Sequence, residues 1–114
     1  MSDPFQQIIG EHLSAVTFVQ DYLQLQFDGP SLNALTVVTV TGPGEHAKSG
    51  EDQFRNLLCS CITKKVLGVV VKEHEALNID LAGGFSISVS LRDQDYCGPE
   101  AITFRGTKNE IVVI

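Results

Sequence analysis

The residues of this chain whose types could do chemistry are three cysteines, three histidines and a run of carboxylates towards the C-terminal end. Cys59 and Cys61 stand two positions apart. On a helix that spacing points the side chains about 200° away from each other, so the pair cannot grip one metal ion. A zinc site would have to recruit Cys97 and a histidine, and the sequence has no cysteine pair with a two-residue gap. A buried free cysteine behaves as a small hydrophobe, and packing is the reading adopted. His12, His46 and His74 are scattered. His74 falls in Lys72-Glu73-His74-Glu75, a charged run that reads as a solvated turn between strands. Gly42-Pro43-Gly44 lacks the Lys-Ser/Thr ending of a phosphate-binding loop, and Gly83-Gly84 reads as a hairpin turn. Ser86, Ser88 and Ser90 share one strand face with no nucleophile elbow around them. The sequence therefore predicts no catalytic residue, no metal and no cofactor.

One stretch stands apart: Arg92-Asp93-Gln94-Asp95-Tyr96-Cys97-Gly98-Pro99-Glu100. It follows a strongly patterned strand and carries three carboxylates, one aromatic ring and a Gly-Pro break. Read functionally, it is an interaction loop. Tyr96 is the anchor, and Asp93, Asp95 and Glu100 face a basic surface. Against this stands a folded surface connection whose acids bond backbone N–H groups. Asp93 and Asp95 as a catalytic dyad have no burying pocket or base in the sequence to support them.

The totals narrow the classes. The chain has 114 residues, 43 % of them hydrophobic and 19 % charged, which suits one globular domain, residues 1–114. The net charge is −6. Nucleic acid and anionic membrane surfaces repel such a chain, whereas a basic protein partner is drawn to it. No apolar run approaches the roughly 20 residues of a membrane span. The start, Met1-Ser2-Asp3-Pro4, lacks the pattern of a signal peptide. Together with the odd cysteine count this predicts a cytoplasmic protein with reduced thiols.

The elements that must position these residues read as one unit used twice, at residues 4–36 and 53–91. Phe5-x-x-Ile8-Ile9 matches Phe54-x-x-Leu57-Leu58 as a short helix. Leu13-x-x-Val16-x-Phe18 matches Val66-x-x-Val69-x-Val71, and Leu23-x-Leu25-x-Phe27 matches Leu77-x-Ile79-x-Leu81, as strands. Asp3 is a good N-cap before Pro4 in the first helical turn. Ser49-x-x-Asp52 has capping-box spacing ahead of the second helix. Residues 32–40 read as a single β-branched strand, and Gly42 to Gly50 as the loop between the two copies. Phe85 to Leu91 alternates cleanly, and Ile102–Arg105 with Glu110–Ile114 read as a terminal hairpin. The predicted fold is α+β: two αβββ repeats forming one mainly antiparallel sheet of about eight strands with two short helices, plus a C-terminal hairpin.

Three segments carry a resemblance. They are Ile9-Gly10-x-x-Leu13, Asp21-Tyr22-Leu23-Gln24-Leu25-Gln26-Phe27-Asp28-Gly29, and Ser90-Leu91-Arg92-x-x-Asp95-Tyr96-x-Gly98-Pro99-Glu100-Ala101. On them the chain resembles a family of small bacterial proteins similar to the acidic immunity proteins encoded beside toxins. That resemblance implies a binding protein, not an enzyme, that occludes a toxin domain with a basic surface. It assigns no catalytic residue. The alternative is a small-molecule-binding or enzymatic module on a curved antiparallel sheet. The chain is expected to act as a monomer, or as a homodimer through an edge holding Val38, Val112 and Val113.

Overall fold

The computed structural model describes residues 3–114, so the first two positions of the Met1-Ser2-Asp3-Pro4 start lie outside the described residues. Among the described residues ten strands form: β1 Leu13–Val19, β2 Tyr22–Phe27, β3 Ser31–Ala34, β4 Val38–Gly42, β5 Glu45–Lys48, β6 Val66–Lys72, β7 Ala76–Leu81, β8 Phe85–Ser90, β9 Ile102–Arg105 and β10 Ile111–Val113. One α-helix, α1, spans Phe54–Cys59. The strands make two five-stranded antiparallel sheets, ordered β1-β2-β3-β9-β10 and β5-β4-β8-β7-β6.

This overturns the expectation of a single eight-stranded α+β sheet under two helices. The fold is mainly β, and the first helical segment, Pro4–Ile8, is a 3-10 turn. Its predicted cap does form: the Asp3 side chain accepts from Phe5 N–H at 2.9 Å. Five residues are too few to nucleate an α-helix, and packing of Phe5 and Ile8 sustains the turn instead. The run 32–40 divides. Residues 35–37 are a break, and β3 and β4 belong to different sheets. The predicted loop from Gly42 to Gly50 is a hairpin, in which Pro43 and Gly44 turn β4 into β5. The capping box does not form either. The Ser49 hydroxyl accepts from Val38 N–H at 2.8 Å and donates to the Val38 carbonyl, closing the hairpin, and α1 begins only at Phe54. Val38 is no dimer edge: it is 1 % exposed on β4, between β5 and β8.

Alternation explains the core. Leu23, Leu25 and Phe27 on β2 and Leu77, Ile79 and Leu81 on β7 point one way, and their polar neighbours the other. The apolar faces of both sheets contribute to one buried cluster, which α1 and the 3-10 turn extend with Phe54, Leu57, Leu58, Phe5 and Ile8. Burying each such side chain contributes about 1.5–3 kcal/mol, so these faces fix the fold.

The two sheets correspond strand by strand. Each begins with a helical turn and a three-strand meander (β1-β2-β3 and β6-β7-β8) and is completed by the hairpin that follows the other meander. The same bulge interrupts both, between Leu13 and Ala15 and between Val66 and Gly68. The starts of β1 and β6 meet at an antiparallel bridge between His12 and Lys65. The hydrogen bonds there read alike from either segment: Gly10 N–H donates to Val66 O at 2.9 Å and Thr63 N–H to Leu13 O at 2.8 Å. Val66 N–H likewise donates to Glu11 O at 2.8 Å and Leu13 N–H to Lys64 O at 3.0 Å.

Candidate functional site

The connection from β8 to β9 carries the four residues singled out above, and the fold distributes them over three surfaces. Asp93 is exposed, at the start of a single 3-10 turn, Asp93–Asp95. Asp95 is half-buried and accepts a hydrogen bond from the Ser90 hydroxyl, so its carboxylate anchors the connection to the end of β8. Tyr96 turns inward. Its ring packs against the core and lines a cavity of about 310 Å³ with Val71, Glu73, His74, Leu91 and Ile114. Glu100 lies on the far side of the connection. It lines a groove of about 660 Å³ with Gln20, Asp21, Leu35, Cys97, Gly98 and Pro99. The segments Asp21–Gly29 and Ser90–Ala101, far apart in sequence, thus meet at this groove.

A second groove, about 300 Å³, continues from it past the tip of the β1–β2 hairpin. Phe18, Val19, Asp21, Tyr22, Leu35 and Phe54 line it. The hairpin tip exposes apolar surface: Phe18 is 41 % exposed, Val19 40 % and Tyr22 36 %. Phe18 meets Phe54 of α1 edge to face, with ring centroids 6.4 Å apart, and the Arg55 guanidinium lies 5.5 Å above the Phe18 ring. Rigid aromatic rings with an arginine are the group types that carry binding energy at protein interfaces. This surface is not among the expectations drawn from the sequence. Its signal was Phe18-Val19 running into Gln20-Asp21-Tyr22, two bulky apolar residues at a turn.

The outer face of the second sheet offers a polar cavity of about 420 Å³, where Thr39, Lys48, Ser88, Ser90, Arg92 and Asp95 converge. Ser86, Ser88 and Ser90 lie on this wet face, on a strand paired on both sides.

The chemistry-bearing residues remain apart. Among the described residues, no three of His, Cys, Asp and Glu come close enough to share a metal ion. Cys61 is buried and Cys59 is exposed, as opposite sides of the chain require. Burial pushes the Cys61 thiol up to about 11, against a smaller pull downwards from Lys64, so it stays protonated at neutral pH. His12, His46 and His74 are all exposed. Among the described residues, no helix is long and apolar enough to cross a membrane. No family model, curated protein or solved structure matches the chain.

Proposed function

We propose that this chain is a binding protein that neutralises a protein partner with a basic surface, as an immunity protein does when it occludes a toxin domain. The observation that carries the reading is the juxtaposition at the β1–β2 end. Asp21 and Glu100 line one groove, and beside them Phe18, Val19 and Tyr22 expose apolar surface on a rigid sheet. The net charge of −6 and the exposed Asp93 supply the field that steers a basic partner on approach. Glu100 and Asp21 pair with its cations, and the hairpin tip supplies the desolvated contact that sets the off-rate. Asp95 and Tyr96 act one step back, by holding the connection in place.

The test is co-expression with the product of the adjacent gene. Formation of a stable one-to-one complex that suppresses that product's toxicity is the expected result. Absence of both binding and protection in cells containing the folded protein refutes the proposal.

A further inference from the structure

The groove at the β1–β2 tip has a counterpart at the other end of the molecule. In the first, Phe18, Gln20, Asp21, Thr36 and Ser49 are wall residues. In the second, Val71, Glu73, His74, Leu91 and Ile114 stand in the corresponding places. The correspondence follows from pairing. Phe18 faces Leu23 as Val71 faces Leu77, and Ala34 pairs with Ile102 as Val89 pairs with Val38. Ser49 N–H donates to Val38 O at 2.8 Å as Ile114 N–H donates to Ile102 O at 3.0 Å.

The two grooves differ in one feature. The connection leaving the first meander is residues 35–37. The offset between the two halves is 55 before this connection (Ala34 to Val89) and 64 after it (Val38 to Ile102), so the second connection is nine residues longer. The extra length delivers Tyr96, whose ring walls the second groove and packs on the core. The short connection of the first half supplies no such ring; there Phe54 of α1 packs on Phe18, and the aromatic surfaces of Phe18 and Tyr22 stay partly exposed. Each groove has one carboxylate at the matching turn, Asp21 in the first and Glu73 in the second, and around the first Glu51, Asp52 and Glu100 line adjoining hollows. Arg55, the cation among them, lies over Phe18.

We infer that the β1–β2 groove is a docking pocket for an aromatic side chain flanked by Lys or Arg on a protein partner, seated against Phe18, Tyr22 and Phe54. The occupant is set by two observations: the exposed aromatic surface of Phe18 and Tyr22 beside Phe54, and the carboxylates of Asp21, Glu51, Asp52 and Glu100 in and around the groove. This inference rests on the reading that the partner is a basic protein and names what that partner presents.

The test needs no partner. The whole protein is titrated by NMR with a blocked Lys-Tyr-Lys peptide, with Lys-Ala-Lys and with Glu-Tyr-Glu. The expected result is saturable shifts at Phe18, Tyr22 and Thr36 for Lys-Tyr-Lys, with affinity at least about tenfold above either control. Phe18→Ser is expected to abolish those shifts. Should that variant fold poorly, Asp21→Lys, a change at an exposed turn residue, is expected to weaken the peptide about three- to tenfold at low salt. Equal response to Lys-Ala-Lys, no response, or shifts centred on Tyr96 overturns the inference. Peptide binding in this groove without any complex with the adjacent gene product sinks the immunity reading alone. A complex insensitive to both variants, with no peptide response, sinks the pocket alone.

Discussion

Gly10 and Thr63 occupy matching positions where the two sheets meet. Both are left-handed, with φ of 90° and 82°, and each donates its N–H to the strand that follows the other. Glycine adopts this conformation freely, whereas a β-branched residue there is strained. Thr63 is held by its 2.8 Å bond to Leu13 O and by the end of α1 just before it.

Thr63→Gly is therefore expected to stabilise the protein. Relief of the left-handed strain is worth about 1–2 kcal/mol. The added freedom of the unfolded chain subtracts about 0.4–1 kcal/mol. The mirror change, Gly10→Thr, is expected to destabilise. Urea midpoints for the two variants check the opposite signs.

Gly42→Ala tests the packing of α1 on the β4–β5 hairpin. A Cβ at Gly42 would stand 3.0 Å from the Phe85 ring and 3.1 Å from Leu57 Cδ1. The buried Leu57 and the partly buried Phe85 would have to move apart, at a cost of about 1–3 kcal/mol. Gly44→Ala meets nothing within 4 Å, and its φ of 78° makes it a strain-only control with a smaller expected loss. Thermal melts of both distinguish overpacking from strain.

The cysteines give a reading of burial. Cys59 and Cys97 are exposed and Cys61 is buried, its thiol raised to about 11. Under native conditions two thiols are expected to react with a maleimide, the third only on unfolding. The raised value also has a stability consequence. Below the ordinary value of 9.0 both states hold the proton and the contribution of Cys61 is complete; it is lost as pH rises from there through about 11. Wild type should lose stability relative to Cys61→Ala over that window. A constant difference between them would refute the burial assignment.

Parts of this fold were legible in the sequence. The period-two patterns of β2, β7 and β8 marked strands and their inward faces, and Asp3-Pro4 marked the first turn. Other parts needed tertiary information. Residues 35–37 sit inside a run of β-branched and apolar residues, so no local signal separates β3 from β4, and which sheet each joins is decided by pairing with β9 and β8. Glu45-His46-Ala47-Lys48 has one apolar side chain and is flanked by Gly and Pro, which reads as loop. It is an edge strand, and only Ala47 is buried. Of the residues in the proposed site, Glu100 stands out in the sequence because charge is visible there. Phe18 and Val19 were missed because their exposure arises from their place near a hairpin tip. Tyr96 turns inward because the connection around it folds back on the core.

In the proposed function the β1–β2 end, with Asp21 and Glu100 on its rim, receives a basic partner. The most direct measurement is calorimetric titration of the adjacent gene's product with wild type, with the Asp21→Lys/Glu100→Lys double variant, and with an Asp80→Lys/Glu45→Lys variant of the same net charge. Asp80 and Glu45 are exposed on the other sheet. The first variant is expected to lose at least about tenfold in affinity and the second about twofold or less. Equal losses in the two would mean that charge alone attracts the partner, and would contradict the proposed function.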